Sequence, residues 1–155
     1  MTMEVWRLCR AKHEATAFSG IGAENAGGRW NLKGYPMVYT SEHLSLAVLE
    51  LLVHVAGDNV PDDLISIRAT LPSDVSTREF RESELPAHWR TYPAPAELQA
   101  MGTAWLSEQR TAVLIVPSAI NPLERNLLLN PRHPDMKKLR GEPGKPFQFD
   151  PRLFG

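Results

Sequence analysis

In VWRLCR (5–10) apolar and polar positions alternate, which predicts a strand near the N-terminus. From 11 to 28 the pattern gives way to small and polar residues ending in Gly27-Gly28, and a loop is expected there. PMVYT (36–40) runs straight into SEHLSLAVLELLVHVAG (41–57), a short strand followed by a helix. Ser41 reads as the N-cap of that helix, Glu42 stands where the helix dipole favours an anion, and Gly57 reads as its C-terminal stop. DLISIRATLP (63–72) sets Leu64, Ser66 and Arg68 against Ile65, Ile67 and Ala69, a second clear strand. Between 95 and 110, Leu98, Met101, Trp105 and Leu106 recur at helical spacing. TAVLIVP (111–117) is a continuous apolar run of strand length, as expected of a buried central strand. Prolines cluster from Pro122 onward, so the tail is expected to be extended or looped, with a last strand at FQFD (147–150). No repeat, low-complexity linker or composition break divides the chain, and the reading is α+β, one compact mixed domain over 1–155.

Length agrees with that reading, because 155 residues suffice for one hydrophobic core. A net charge of -1, from 17 basic and 18 acidic residues, lacks the basic footprint of a nucleic-acid binder, and no direct nucleic-acid contact is expected. No apolar run approaches the roughly 20 residues that cross a bilayer. MTMEVWRLCR lacks the basic, apolar and small-residue order of a signal peptide, so a cytoplasmic protein without a membrane partner is expected. The single cysteine, Cys9, excludes an internal disulfide and a cysteine metal cage, and its strand-like neighbours make it a small core hydrophobe.

The candidate chemistry starts from Glu50, a lone carboxylate in AVLELLVH (47–54). At 100° per residue, Leu44, Val48, Leu51, Leu52 and Val55 form the expected core stripe of the helix. Glu50 shares a wedge with His43 and His54, bordered by Leu46, Leu49 and Val53 on one side and Ala47 on the other. Two readings stand: a carboxylate directed into a cleft, or a surface pair of Glu50 with His54 at i, i+4. GGRWN (27–31) brings Arg29 next to glycines that admit a ligand, or forms a turn followed by a surface arginine. Tyr39 and Ser118 stand at strand ends, where side chains line sites or simply pack. Asn130 and His133 sit between stiffening prolines in LNPRHPD (129–135). Other chemistries fail: SGIGAEN (19–25) lacks the third glycine of a dinucleotide fingerprint, and neither a P-loop nor a Gly-x-Ser-x-Gly elbow occurs. His43 and His54 are eleven apart without HExxH, which leaves no metal ligand set.

Taken in order, WRLCR, GGRWN, VYTSEHLSLAVLELLVH, TAVLIVPSAI and ERNLLLNPRHPD resemble the successive motifs of the RES domain, the toxin half of RES-Xre toxin–antitoxin modules. The resemblance runs from Trp6 to the terminal FDPRLF, and Leu127 departs from it where an aromatic commonly follows the asparagine. The family is named for an arginine, a glutamate and a serine, which match Arg29, Glu50 and Ser118, and Tyr39 matches a further active-site position. The resemblance implies a fold like that of ADP-ribosyltransferases and a substrate, NAD+, split by phosphorolysis or hydrolysis, with inorganic phosphate as a co-substrate and no bound cofactor or metal. It also implies an Xre-type antitoxin partner covering the cleft, and a homodimer. In this reading Glu50 stabilises positive charge growing on the ribose, Arg29 holds the pyrophosphate, Tyr39 stacks on nicotinamide, Ser118 orients ribose or phosphate, and Asn130 joins the substrate-binding residues. Transfer of ADP-ribose to a cellular protein is the second expectation, and a catalytically silent module that only binds a partner is the third.

Overall fold

The computed structural model describes residues 1–55 and 59–155, so Gly57, the expected helix stop, lies outside the described residues. Strand β1 (Thr2–Arg10) leads through a 3-10 segment, Ala11–Thr16, to helix α1 (Ile21–Ala26), strand β2 (Val38–Ser41) and helix α2 (Leu44–Leu52). Strands β3 (Leu64–Pro72) and β4 (Thr77–Glu79) follow, then helix α3 (Ala96–Glu108) and strands β5 (Val113–Pro117), β6 (Arg125–Leu129), β7 (Arg140–Gly141) and β8 (Lys145–Pro146). The strands form one sheet in the order β4-β5-β6-β2-β1-β3-β7, with β8 also on β3. Among the described residues only β4 and β5 pair in parallel, and α3 lies in the crossover such a pair requires.

Side-chain alternation sorts the central strands onto two faces. Leu114, Val116 and Leu128 pack with Trp30, Phe80, Trp89, Leu98, Trp105 and Leu106 on the first face. Val113, Leu127 and Leu129 join Val5, Val38, Ala69 and Leu71 on the second. Helix α2 lies against β1 and β2. Its Glu50 reaches Asn126, which alternates with Leu127, so α2 covers the first face. Strands β1 and β2 pair only at Trp6 and Ser41; beyond that point Arg7 Nη1 donates to the Tyr39 carbonyl at 3.0 Å and bridges the strands. No helix among the described residues is long and apolar enough to cross a membrane.

Several elements differ from the sequence expectation. The expected loop at 11–28 contains the 3-10 segment and α1. Ser41 is not an N-cap; it ends β2 and gives its hydroxyl to Asn126, while His43 takes the cap position with no side-chain bond. Glu42 Oε1 accepts from the Arg125 backbone N–H at 3.0 Å and so extends the β2–β6 ladder instead of serving the helix dipole. The buried face of α2 is formed by Leu46 and Ala47, whereas the expected stripe of Leu44, Val48, Leu51, Leu52 and Val55 is only half-buried. The tail, expected to be extended or looped, supplies β6, and the last strand falls at Lys145–Pro146, with the Phe147 N–H also donating to the Leu64 carbonyl at 2.9 Å, where a strand over 147–150 was expected.

Buried Gly102 on α3 sets how closely that helix approaches the turn at Trp30: a Cβ there would drive into the Trp30 carbonyl. Gly102→Ala should cost about 3 kcal/mol, read as a fall in the denaturant midpoint at unchanged m-value.

Candidate active site

Glu50 enters the site from α2, at i+4 from Leu46 and i+3 from Ala47, so anchoring those two residues on the sheet turns the carboxylate toward it as well. Burying a carboxylate is costly unless donors meet it. Two do: Ser118 Oγ and Asn126 Nδ2 each donate to Glu50 Oε1 at 2.7 Å. Asn126 is oriented by Ser41, whose hydroxyl donates to Asn126 Oδ1 at 2.7 Å. Ser118, 0 % exposed, accepts from the Ile120 and Asn121 N–H groups, both at 3.1 Å. One donated proton and two accepted bonds exhaust a hydroxyl, so Ser118 has nothing left for a ligand. Among the described residues no donor reaches Glu50 Oε2, and that oxygen is not sealed from solvent.

The second wall is the turn after α1. Gly28 pairs with Asn31 across it, Tyr39 donates its hydroxyl to Asn31 Oδ1 at 2.6 Å, and the same hydroxyl oxygen accepts from the Trp30 N–H at 3.0 Å. Any Cβ on Gly28 would collide with the Tyr39 hydroxyl. Asn31, 0 % exposed, gives its amide to the Ala23, Leu32 and Tyr35 carbonyls. Burial pushes the Tyr39 phenol above the ordinary tyrosine range, against the opposing pull of the Trp30 N–H and Arg29.

Arg29 projects from this turn and donates through Nη1 to the carbonyls of Trp89 at 2.9 Å and Thr91 at 3.1 Å. Its Nε and Nη2 make no hydrogen bond to the described residues and are not sealed from solvent, which leaves one edge of the guanidinium available. Burial pulls its pKa below the ordinary value; the nearby Glu50 carboxylate, Tyr39 and Tyr92 pull it back up. A cation with a spare donor edge thus lies within electrostatic range of a carboxylate with a spare oxygen.

The structure therefore gathers Arg29, Tyr39, Glu50 and Ser118, with Tyr39 and Ser118 committed to holding the other two in place. Asn130 is not among them. It lies four residues along from Asn126, roughly 13 Å of strand, and its side chain donates to the Leu106 carbonyl and accepts from the Arg132 N–H. At 1 % exposure it ties β6 to α3, and the structure does not bring it together with the other four. His43 and His54 are not partners of Glu50 either: His43 is exposed at the α2 cap, and the His54 ring meets Tyr92. The residue of this cluster overlooked in the sequence is Asn126. Asn126 had a signal, a polar position in a strand-length run, NLLLN, otherwise apolar between its ends.

A family model described as the RES domain matches residues 4–150. The protein named Toxin Res of Yersinia enterocolitica serotype O:8 / biotype 1B is 37% identical over 152 residues, covering 97% of this chain and 99% of that protein. The Prs ADP-ribosylating toxin of Sphingobium sp. strain YBL2 is 37% identical over 158 residues, covering 99% of this chain and 98% of its own. Among solved structures, a chain in the crystal structure of the M. tuberculosis MbcT-MbcA toxin-antitoxin complex superposes with a TM-score of 0.78 at 17% identity. That match covers 99% of this chain and 87% of the other, and shows a shared fold.

Tyr39→Phe leaves the Trp30 N–H without its acceptor and Asn31 Oδ1 without its donor, and should cost about 1–3 kcal/mol in urea denaturation. The raised phenol fixes the pH dependence. Below about pH 10 folded and unfolded chains both keep this proton, so the wild-type advantage is constant. Above it the unfolded chain ionises first, and the gap between wild type and variant should shrink as pH rises through the folded value.

Proposed function

The chain belongs to the RES domain family, and on that premise we propose that it is the toxin of a toxin–antitoxin pair and cleaves the bond between nicotinamide and ribose in NAD+. The observation that carries this reading is the half-buried Glu50, with one oxygen held by Ser118 and Asn126, the other without a donor among the described residues, and its charge felt by Arg29. Nicotinamide leaves with the electron pair of the glycosidic C–N bond, which neutralises its ring nitrogen, so no strong general acid is required. What builds up is positive charge on the ribose, and a fixed carboxylate stabilises it without reorganising. Ser118 and Asn126 preset the carboxylate, leaving Oε2 to meet a ribose hydroxyl or the charged ring. The free edge of Arg29 faces the pyrophosphate as a planar fork.

Inorganic phosphate or water then captures the ribosyl cation. A second reading follows from the relative named an ADP-ribosylating toxin: the same bond breaks, and a nucleophile on a cellular protein takes the ADP-ribose. The solved toxin-antitoxin complex of the same fold supports an antitoxin as the partner, and the family resemblance makes it of the Xre type.

Purified protein free of antitoxin should release nicotinamide from NAD+, followed by chromatography with and without phosphate; no release under either condition would end this reading. Label from NAD+ appearing on protein instead of in a small product selects the second reading. Glu50→Gln keeps an acceptor for Ser118 and Asn126 and so keeps the fold, while turnover should drop at least about 100-fold. Arg29→Ala should chiefly raise KM, since its charge meets substrate and transition state alike. Unchanged kinetics in both variants would remove these residues from the mechanism.

A further inference from the structure

Tyr39 was the aromatic expected to stack on the substrate, yet its hydroxyl is fixed beneath the turn by Trp30 and Asn31. Another aromatic stands free. Tyr92 is 78% exposed and belongs to no buried cluster, but the segment beneath it is pinned. Arg29 holds the Trp89 and Thr91 carbonyls, the Thr91 hydroxyl donates to the His88 carbonyl at 3.0 Å, and Arg90 Nε donates to the Ala119 carbonyl at 2.8 Å, next to Ser118. The Tyr92 ring ends 5.8 Å from that of His54, tilted by 56°. An exposed tyrosine on a segment tied down from both walls has its entropy cost already met, as a binding surface requires.

Its position is equally specific. His54 lies in the turn just past the end of α2, four residues on from Glu50, its N–H donating to the Leu51 carbonyl at 3.0 Å, and Tyr92 directly follows Thr91, whose carbonyl Arg29 holds. Tyr92 thus stands between the segment that Arg29 holds and the turn that ends the carboxylate's helix.

Resting on the NAD+ reading above, we propose that Tyr92, held against His54, is a specificity-determining residue whose ring stacks on the nicotinamide of the substrate. The pyridinium of NAD+ carries a full positive charge, which an aromatic face attracts. Cleavage turns that cation into neutral nicotinamide, and the attraction fades as the bond breaks. Tyr92 therefore binds the ground state more tightly than the transition state: it lowers KM, does not raise kcat, and lets the departing ring go.

The test is the kinetics of Tyr92→Ala and Tyr92→Phe in the full-length protein, by nicotinamide release, with NADH as competitor because its reduced ring is uncharged. Tyr92→Ala should raise KM for NAD+ about tenfold with kcat undiminished, and weaken NADH by less than about threefold. Tyr92→Phe, which keeps the ring, should stay within about twofold of wild type. Both melting temperatures should match wild type, since the side chain is exposed. An unchanged KM in Tyr92→Ala, or equal weakening of NAD+ and NADH, overturns the stacking role while leaving the cleavage reading intact. If the wild type binds NAD+ without cleaving it, calorimetric dissociation constants give the same comparison and judge Tyr92 alone. A wild type that neither binds nor cleaves NAD+ overturns both.

Discussion

The site depends on how a carboxylate is kept on the inward face of a helix whose other residues, Ser45 apart, are apolar. Glu50 sits beside Leu46 and Ala47 on the side of α2 that meets the sheet, and only the donors Ser118 and Asn126 make that placement tolerable. Those donors come from beyond β5 and from β6, so the orientation of one helix is fixed by two parts of the chain remote from it in sequence. Because both bonds fall on the same oxygen, the constraint that satisfies the acid also decides which oxygen stays free.

The opposite wall follows the same logic. Tyr39, from β2, reaches under the Gly28–Asn31 turn, and its hydroxyl serves one donor and one acceptor of that turn at once. Arg29 is thereby presented with its Nη1 engaged on the 89–91 segment and its remaining edge outward. Residues grouped by family resemblance thus separate by what they do. Glu50 and Arg29 retain unsatisfied groups for a ligand, whereas the hydroxyls of Ser118 and Tyr39 are occupied in holding them.

Strands β1, β3 and β5 were legible in the sequence because a two-residue period or an unbroken apolar run is what their burial demands. Helix α3 was legible for the same reason, from the spacing of Leu98, Met101, Trp105 and Leu106. Strand β4 was not: Thr77, Arg78 and Glu79 are all exposed, and they join the sheet by backbone pairing to β5, without an apolar side chain to mark them. The rotation of α2 was misjudged because periodicity weighs hydrocarbon and cannot see donors waiting on the sheet. By that measure Leu44, Val48, Leu51 and Leu52 outrank a face containing Glu50, yet that face is the one turned inward. The resemblance named Arg29, Tyr39, Glu50 and Ser118, which the fold does bring together; it did not distinguish Asn130, four residues from Asn126 along the chain, as a packing residue.

The place of β6 in the sheet gives vectorial synthesis a particular character. Two strips, β4 with β5 and β2 with β1 and β3, are translated before the strand that lies between them. A nascent chain halted ahead of Arg125 already contains Arg29, Tyr39, Glu50 and Ser118, but it lacks the keystone joining the strips and the amide that steadies the carboxylate. At ribosomal rates of about 5–20 residues per second, the helix that carries Glu50 is therefore made seconds before the Asn126 amide that steadies its carboxylate exists.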